Sequence, residues 1–494
     1  LDQWQARPSL PEPRGSGGLF VVGRELHFVG GVDVDRDTDK ADHWVLDLDN
    51  PVDWSASTPL PVARNHFGCI GFNGRGYVLG GQQHHDVFPL EVALVHVWDP
   101  ALGWLAGAPL PYPRSHFEPS LSEFGGSLVL AGGRSIPMGW LNLPEVLAYD
   151  PQADDWSLIG LLPQSLIAPC LKVIGGEFLL SGGGVDVNQP FSTTQRRVAT
   201  LGQPDTLRFN SGGGVLGLSQ SWCEGAGEFG GKDFVNGSVG DIAGTLDDPL
   251  FVAQRTGDDA QPDYLGVRMP MADGSYVLQL HFAETYWGAS GGAGGGVGKR
   301  VFDVRAEGVL LQDDLDITAA VGASTALLTT HAVEVEGGLL DLDLNASIDR
   351  PLLAGLELLA VDSDGAYCVG APNSVGPGAR MGSAGSTSIA EDDLVLVTFG
   401  CPPDTVGLYL QSATQAQVPL FDGFLCVGSP FWRLTPGQAS DAAGSAVRPF
   451  ALQSPDPPHT VVAAGETWHF QLWYRDPALG SANFSDGLSL TFEP

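Results

Sequence analysis

The chain has 494 residues, 43 % of them hydrophobic, with 67 glycines, 36 prolines and a formal net charge of −34. That charge opposes binding to nucleic acid or to an anionic membrane surface, both of which repel an acidic protein. There is no apolar run of about 18 residues, so no membrane-spanning helix is expected. Many short apolar runs between glycines and prolines, with no long amphipathic helix, point to an all-β protein of about three domains.

The first region, residues 1–204, is a repeat. Trp4, Trp54, Trp104 and Trp156 are spaced by 50, 50 and 52 residues. The pairs Gly30-Gly31, Gly80-Gly81, Gly132-Gly133 and Gly182-Gly183 keep nearly the same step, as do Arg14, Arg64 and Arg114. Leu46-Asp47, Trp98-Asp99 and Tyr149-Asp150 lie between them. The combination of apolar run, double glycine, aromatic-Asp and Trp at a period near 50 resembles kelch repeats, each one four-stranded propeller blade. About four blades are expected. The N-terminal strand Gln3–Pro8 would serve as the outer strand of the last blade and close the ring; the alternative is an open arc.

Several polar groups stand out in this region. His66 and His116 recur in Arg-x-His-Phe and are expected to hydrogen-bond between blades. Asp33, Asp35 and Asp37 alternate and could offer oxygen ligands to Ca²⁺, the one cofactor considered; the glycine and terminal Glu of an EF-hand loop are missing. His84-His85-Asp86 is a second polar cluster with metal-binding chemistry. Cys69 and Cys170 fall at similar places in blades two and four, either bonded across a narrow channel or free.

The second region, residues 205–361, holds the most informative stretch. Tyr276–Phe282 and Val301–Val304 alternate with period two, as half-buried strands do. Between them lie Tyr286-Trp287 and a glycine-rich loop, Ser290–Gly298. An aromatic pair at a strand end suits a sugar, whose C–H face stacks on a ring while carboxylates bind its hydroxyls. The ordered runs FAETYW, GKRVFDV and LDI resemble the malectin family of carbohydrate-binding β-sandwiches. So do the opening Arg208-Phe209-Asn210-Ser211-Gly212-Gly213 and the closing Asp349-Arg350-Pro351. The resemblance implies a non-catalytic glycan site on Tyr286, Trp287 and Asp349. Phe234 and Thr256 stand where that family has two further tyrosines. Glu284 and Asp303, which could be imagined as glycosidase carboxylates, are then structural.

Asp362–Gly365 reads as a linker, and residues 365–494 as a second β-sandwich with strands at Leu394–Phe399, Val406–Gln411, Thr467–Tyr474 and Leu488–Phe492. This region resembles a C-terminal domain of large secreted proteins of planctomycetes and some other bacteria. That resemblance implies a Cys368–Cys426 disulfide, leaving Cys401 unpaired or bonded to Cys223. Leu1 is the kind of residue left after leader cleavage, so a secreted or cell-surface location is expected.

No HExxH, CxxC or phosphate-binding loop is present. The expectation is a non-enzymatic extracellular protein for carbohydrate binding or adhesion, with glycans or a cell-surface polysaccharide as partner. Two alternatives stand beside it: a self-associating subunit of a fibre or surface layer, and a propeller enzyme targeted by the sandwich.

Overall fold

A computed structural model describes the chain except residues 1–5, 86–87, 136–140, 163, 187–188, 191, 193, 199–205, 212–222, 225–230, 272, 338 and 454–460. Trp4, Asp86, Gly212 and Gly213 therefore lie outside the described residues. The fold is all-β, and its two described α-helices are five residues each, Asp248–Val252 and Ile317–Val321. The chain forms two compact units, residues 1–203 with 223–228, and 204–222 with 229–494.

The first unit contains the blades. Blades one to three are four-stranded antiparallel sheets starting at Gly18–Val22, Gly68–Phe72 and Ser122–Phe124. Blade four has three described strands, Cys170–Ile174, Glu177–Ser181 and Thr194–Val198. Of the expected closing strand Gln3–Pro8, residues 3–5 lie outside the described residues, and Ala6–Pro8 are not in a strand.

The sequence marks each hold one blade to the next. Trp54, Trp104 and Trp156 donate their indole N–H to the carbonyls of Pro8, Thr58 and Ala108, at 3.0, 2.9 and 3.0 Å. The second glycine of the first three pairs donates its N–H to a carbonyl of the next repeat: Gly31 to Arg64, Gly81 to Arg114 and Gly133 to Leu166. At Gly80 (φ 58°) a Cβ would sit 2.5 Å from the Arg114 carbonyl, so only glycine fits the junction. Burial separates inner blades from outer ones. The strand Ser127–Ala131 of blade three is buried at every residue, being packed on both faces. In blade one, Phe20 and Val22 are buried, while Leu19 and Val21 on the other face are 54 % and 47 % exposed. In blade four, Leu171, Phe178 and Leu180 pack on blade three, and Ile174 is exposed.

In the second unit, one sheet runs Thr206–Asn210, Gly355–Ala360, Gly274–Phe282 and Leu327–Val335. It faces a four-stranded sheet, Tyr264–Pro270, Leu339–Ile348, Val301–Ala306 and Val309–Leu315. Phe282 and Phe302 meet between them with ring centroids 5.8 Å apart. Leu278, Leu280 and Phe282 fill this core by the period-two rule. Val277 on the opposite face is equally buried, because Val277, Ala332 and Leu359 pack against Ala384, Val395, Val397 and Phe399 of the following sandwich.

That following sandwich has a five-stranded sheet built around the long hairpin Thr467–Asp476 and Ser481–Thr491, and a three-stranded sheet. Its core includes Met381, Tyr409, Phe470 and Phe492. Cys368 and Cys426 are bonded across 58 residues, with Cα atoms 6.3 Å apart. Cys69, Cys170 and Cys401 are free thiols. Burial pushes the Cys401 thiol up to about 12, so it is an inert apolar filler. Nothing bonds Cys69 to Cys170, and the Cys223 side chain lies outside the described residues.

Candidate functional site

The strand Gly274–Phe282 ends by burying Glu284, 1 % exposed, beneath the loop that follows. A buried carboxylate needs charged or N–H partners. Glu284 Oε2 takes the Arg300 guanidinium at 2.7 Å, and Oε1 accepts the backbone N–H groups of Tyr286 and Trp287 at 2.8 and 3.0 Å. The acid thus fixes the backbone of the aromatic pair. Asn236 fastens the same loop from another strand end, donating to the carbonyls of Thr285 (2.6 Å) and Ser290 (3.0 Å). Gly292 lets the glycine-rich loop close down, since a Cβ there would overlap the Tyr286 carbonyl.

On this base stand all four residues proposed from the sequence. Phe234 meets Tyr286 edge to face at 6.0 Å, and Tyr286 meets Trp287 edge to face at 5.0 Å. Trp287 Nε1–H donates to Asp349 Oδ2 at 2.7 Å. Asp349 turns the chain in the left-handed region, φ 62°, which a short polar side chain tolerates. Arg300 reaches the same Asp349 oxygen at 3.3 Å. Tyr286 is 38 % exposed, the most open of the three rings. Lys299 Nζ lies 6.0 Å from the Trp287 ring centroid, a cation over its face.

The role of Asp349 differs from the expected one. One of its oxygens is engaged by Trp287 and Arg300, so it orients the indole as well as offering an acceptor. Thr256 does not join the site: it is 4 % exposed within the strand Ala253–Thr256. Arg300, Lys299 and Asn236 were missed from the sequence. Arg300 sits in the quoted GKRVFDV run, but nothing in a single sequence pairs it with Glu284.

In the aspartate loop expected to offer oxygen ligands to Ca²⁺, two carboxylates make local bonds. Asp33 binds Lys40 at 2.8 Å and the Val34 N–H at 2.7 Å. Asp35 caps the turn by accepting the N–H groups of Asp37 and Thr38 and the Thr38 hydroxyl. These two carboxylates, with Asp37 beside them, serve the loop's own backbone rather than converging on an ion. Among the described residues no three His, Cys, Asp or Glu side chains gather as a metal-binding group. Asp303 is likewise structural: it accepts the Asp314 N–H and lies 3.5 Å from Arg305. No helix among the described residues is long and apolar enough to cross a membrane.

Comparison with known proteins agrees with this geometry. Residues 228–357 match the family model of the malectin domain. The chain is similar to Kelch-like protein 25 of Xenopus tropicalis, 28 % identical over 185 residues, which is 36 % of this chain and 31 % of that protein. It is similar to the Kelch repeat-containing protein At3g27220 of Arabidopsis thaliana, 25 % identical over 214 residues, 38 % of this chain and 50 % of that protein. The matches thus span between about a third and a half of these relatives. The chain is thus similar to kelch proteins and, over residues 228–357, to the malectin domain.

Proposed function

We propose that this chain is an extracellular carbohydrate-binding protein whose malectin domain holds a glycan on Tyr286 and Trp287, with Asp349 as polar acceptor. The observation that carries this reading is the aromatic run Phe234–Tyr286–Trp287 ending on a carboxylate, fixed from below by Glu284. An exposed ring beside an anionic acceptor matches the two surfaces of a sugar. The Cys368–Cys426 bond supports an oxidising compartment, and the acidic surface supports a secreted protein. No reaction is assigned to the malectin domain.

Titration calorimetry of the full chain against short glucans and other oligosaccharides tests the proposal. Binding in the millimolar range that Tyr286→Ala abolishes supports it. No heat from any sugar with folded protein sinks it.

A second reading, self-association into a homopolymer, rests on Leu19, Val21 and Ile174, apolar side chains exposed on the first and fourth blades. Uncovered sheet faces favour contacts between copies. A monomeric mass at high concentration, unchanged in Val21→Asp, would overturn it.

A further inference from the structure

The first unit holds a cavity of about 640 Å³ lined by Ser16, His66, His85, His116 and Arg134 among others. Its chemistry arises from the repeat. Ser16, His66 and His116 stand 50 residues apart and all take left-handed backbone, with φ of 53°, 50° and 57°. Ala168 does the same in blade four, so the conformation belongs to the architecture rather than to any one side chain. Their backbones form a ladder across blades: the His66 N–H donates to the Ser16 carbonyl, His116 to His66, and Ala168 to His116. The ladder brings three successive side chains together at the cavity.

There the side chains depart from one another chemically. His66 Nδ1 lies 2.9 Å from Glu118 Oε1. A carboxylate accepts only, so Nδ1 carries the proton and Nε2 presents its lone pair. Ser16 Oγ is 3.1 Å from that Nε2. His85 Nε2 is 3.0 Å from it on a second approach. His116 stacks on His66 at 4.1 Å and makes its own hydrogen bond to Ser115. Burial, with His66, Arg134 and His85 nearby, pushes His116 down to about 2, so it stays neutral and puts no charge against His66. Arg134 is held in the wall by Glu91 and Gln82.

We propose that Ser16, His66 and Glu118 form a nucleophile–base–acid triad that hydrolyses a small carboxylic ester bound in this cavity. Such triads are recognised by geometry and roles, on unrelated folds and in any chain order. Ser16 Oγ attacks the ester carbonyl carbon as its proton passes to His66 Nε2. The carbon–oxygen bond to the alcohol then breaks, and His66 returns that proton to the leaving oxygen. Water attacks the acyl-serine next; its proton goes to His66 and back to Ser16 Oγ, releasing the acid. Glu118 is a positioning residue, holding the tautomer and stabilising the imidazolium. His85 is placed to exchange a proton with His66. This inference does not depend on the glycan site.

The test is covalent labelling of the full chain by a fluorophosphonate, with the modified peptide mapped by mass spectrometry, alongside hydrolysis of p-nitrophenyl acetate. Labelling is expected at Ser16 and nowhere else at comparable rate. Ser16→Ala should abolish it, and His66→Gln should slow it about a hundredfold or more. Glu118→Gln should slow it, and the conservative Glu118→Asp should keep most of the wild-type rate, which a merely structural role for this residue would not predict. The unfolding transition of Ser16→Ala, a small half-buried change, reports that the fold survives. Folded wild-type protein that carries no phosphonate on Ser16, or equal labelling of wild type and His66→Gln, overturns the proposal.

Discussion

Trp287 links the proposed sugar site to the frame below it. Its ring offers a face, its N–H holds Asp349, and its backbone N–H is held by Glu284. Losing the ring should weaken a bound sugar by about 1–3 kcal/mol through lost area and dispersion. Trp287→Phe keeps much of the face but frees Asp349, so it should bind between wild type and Trp287→Ala; calorimetry orders the three. Equal affinities would remove Trp287 from the site. The buried histidines of blades one and two make a separate prediction at the same scale. His27 Nδ1–H donates to His43 Nε2 at 2.9 Å, and His43 Nδ1–H donates to the Thr58 carbonyl. Burial first, then His43, pushes His27 down to about 4, and burial holds His96 at about 4 as well. Above about pH 6.5 these histidines are neutral in both folded and unfolded chains and contribute no pH dependence. As pH falls from about 6.5 towards 4 the unfolded chain takes protons that the folded one refuses, so stability drops. The urea midpoint of the blades should therefore fall on acidification, and less steeply in His27→Gln; parallel curves would refute the assignment.

At the scale of the element, recurring marks hide different energetics. Arg64 and Arg114 occupy the same repeat position and both are fully buried. Arg64 donates to the carbonyls of Gly80, Val78 and Val62. Arg114 donates to the Gly132 carbonyl and to Glu145 at 2.7 Å, with Glu145 only 2 % exposed. Removing one partner of such a pair leaves a buried charge uncompensated, which costs about 3–5 kcal/mol. Arg114→Met should lower the stability of the blades by that amount, and Glu145→Gln in the same chain should recover part of it. A loss below about 1 kcal/mol, read from urea unfolding, would mean that water reaches Glu145. The repeat marks were legible because Trp, Gly-Gly and Arg each satisfy a backbone geometry that recurs every blade. Glu145 was not, because its position varies between repeats: Asp42 in blade one, where it pairs with Arg14, and Leu94 in blade two. The same contrast runs through the sites. The grouping of Phe234, Tyr286, Trp287 and Asp349 was suggested by a motif series, whereas the Arg300–Glu284 pair and the meeting of Ser16 and Glu118 with His66 depend on folding. Nor does the sequence reveal that Asp33 and Asp35 bond within their own turn.

For the whole molecule, the sandwich over residues 205–361 is not energetically separate from the one that follows. Val277, Ala332 and Leu359 cover the outer face of its sheet by packing on Val395, Val397 and Phe399. The chain between them is pinned too, since Asp362 and Ser383 exchange backbone hydrogen bonds at 2.7 and 2.9 Å. Arg208 adds a polar link, 2.7 Å from Glu357 and 4.0 Å from Asp393. Cutting after Val361 would expose a contiguous apolar strip, a source of instability and aggregation. Residues 204–361 alone should thus melt below residues 204–494 and bind a hydrophobic dye that the longer piece excludes. In the full chain, Leu359→Ala should cost about 2–5 kcal/mol, as buried leucine truncations do. The disulfide adds a distinct contribution: closing 58 residues is worth about 4 kcal/mol by chain entropy. Reduction should therefore lower the melting of residues 204–494 and leave that of 204–361, which lacks both cysteines of the bond, unchanged. If the short piece melts with the long one under both conditions, the seam contributes nothing and the two sandwiches fold independently.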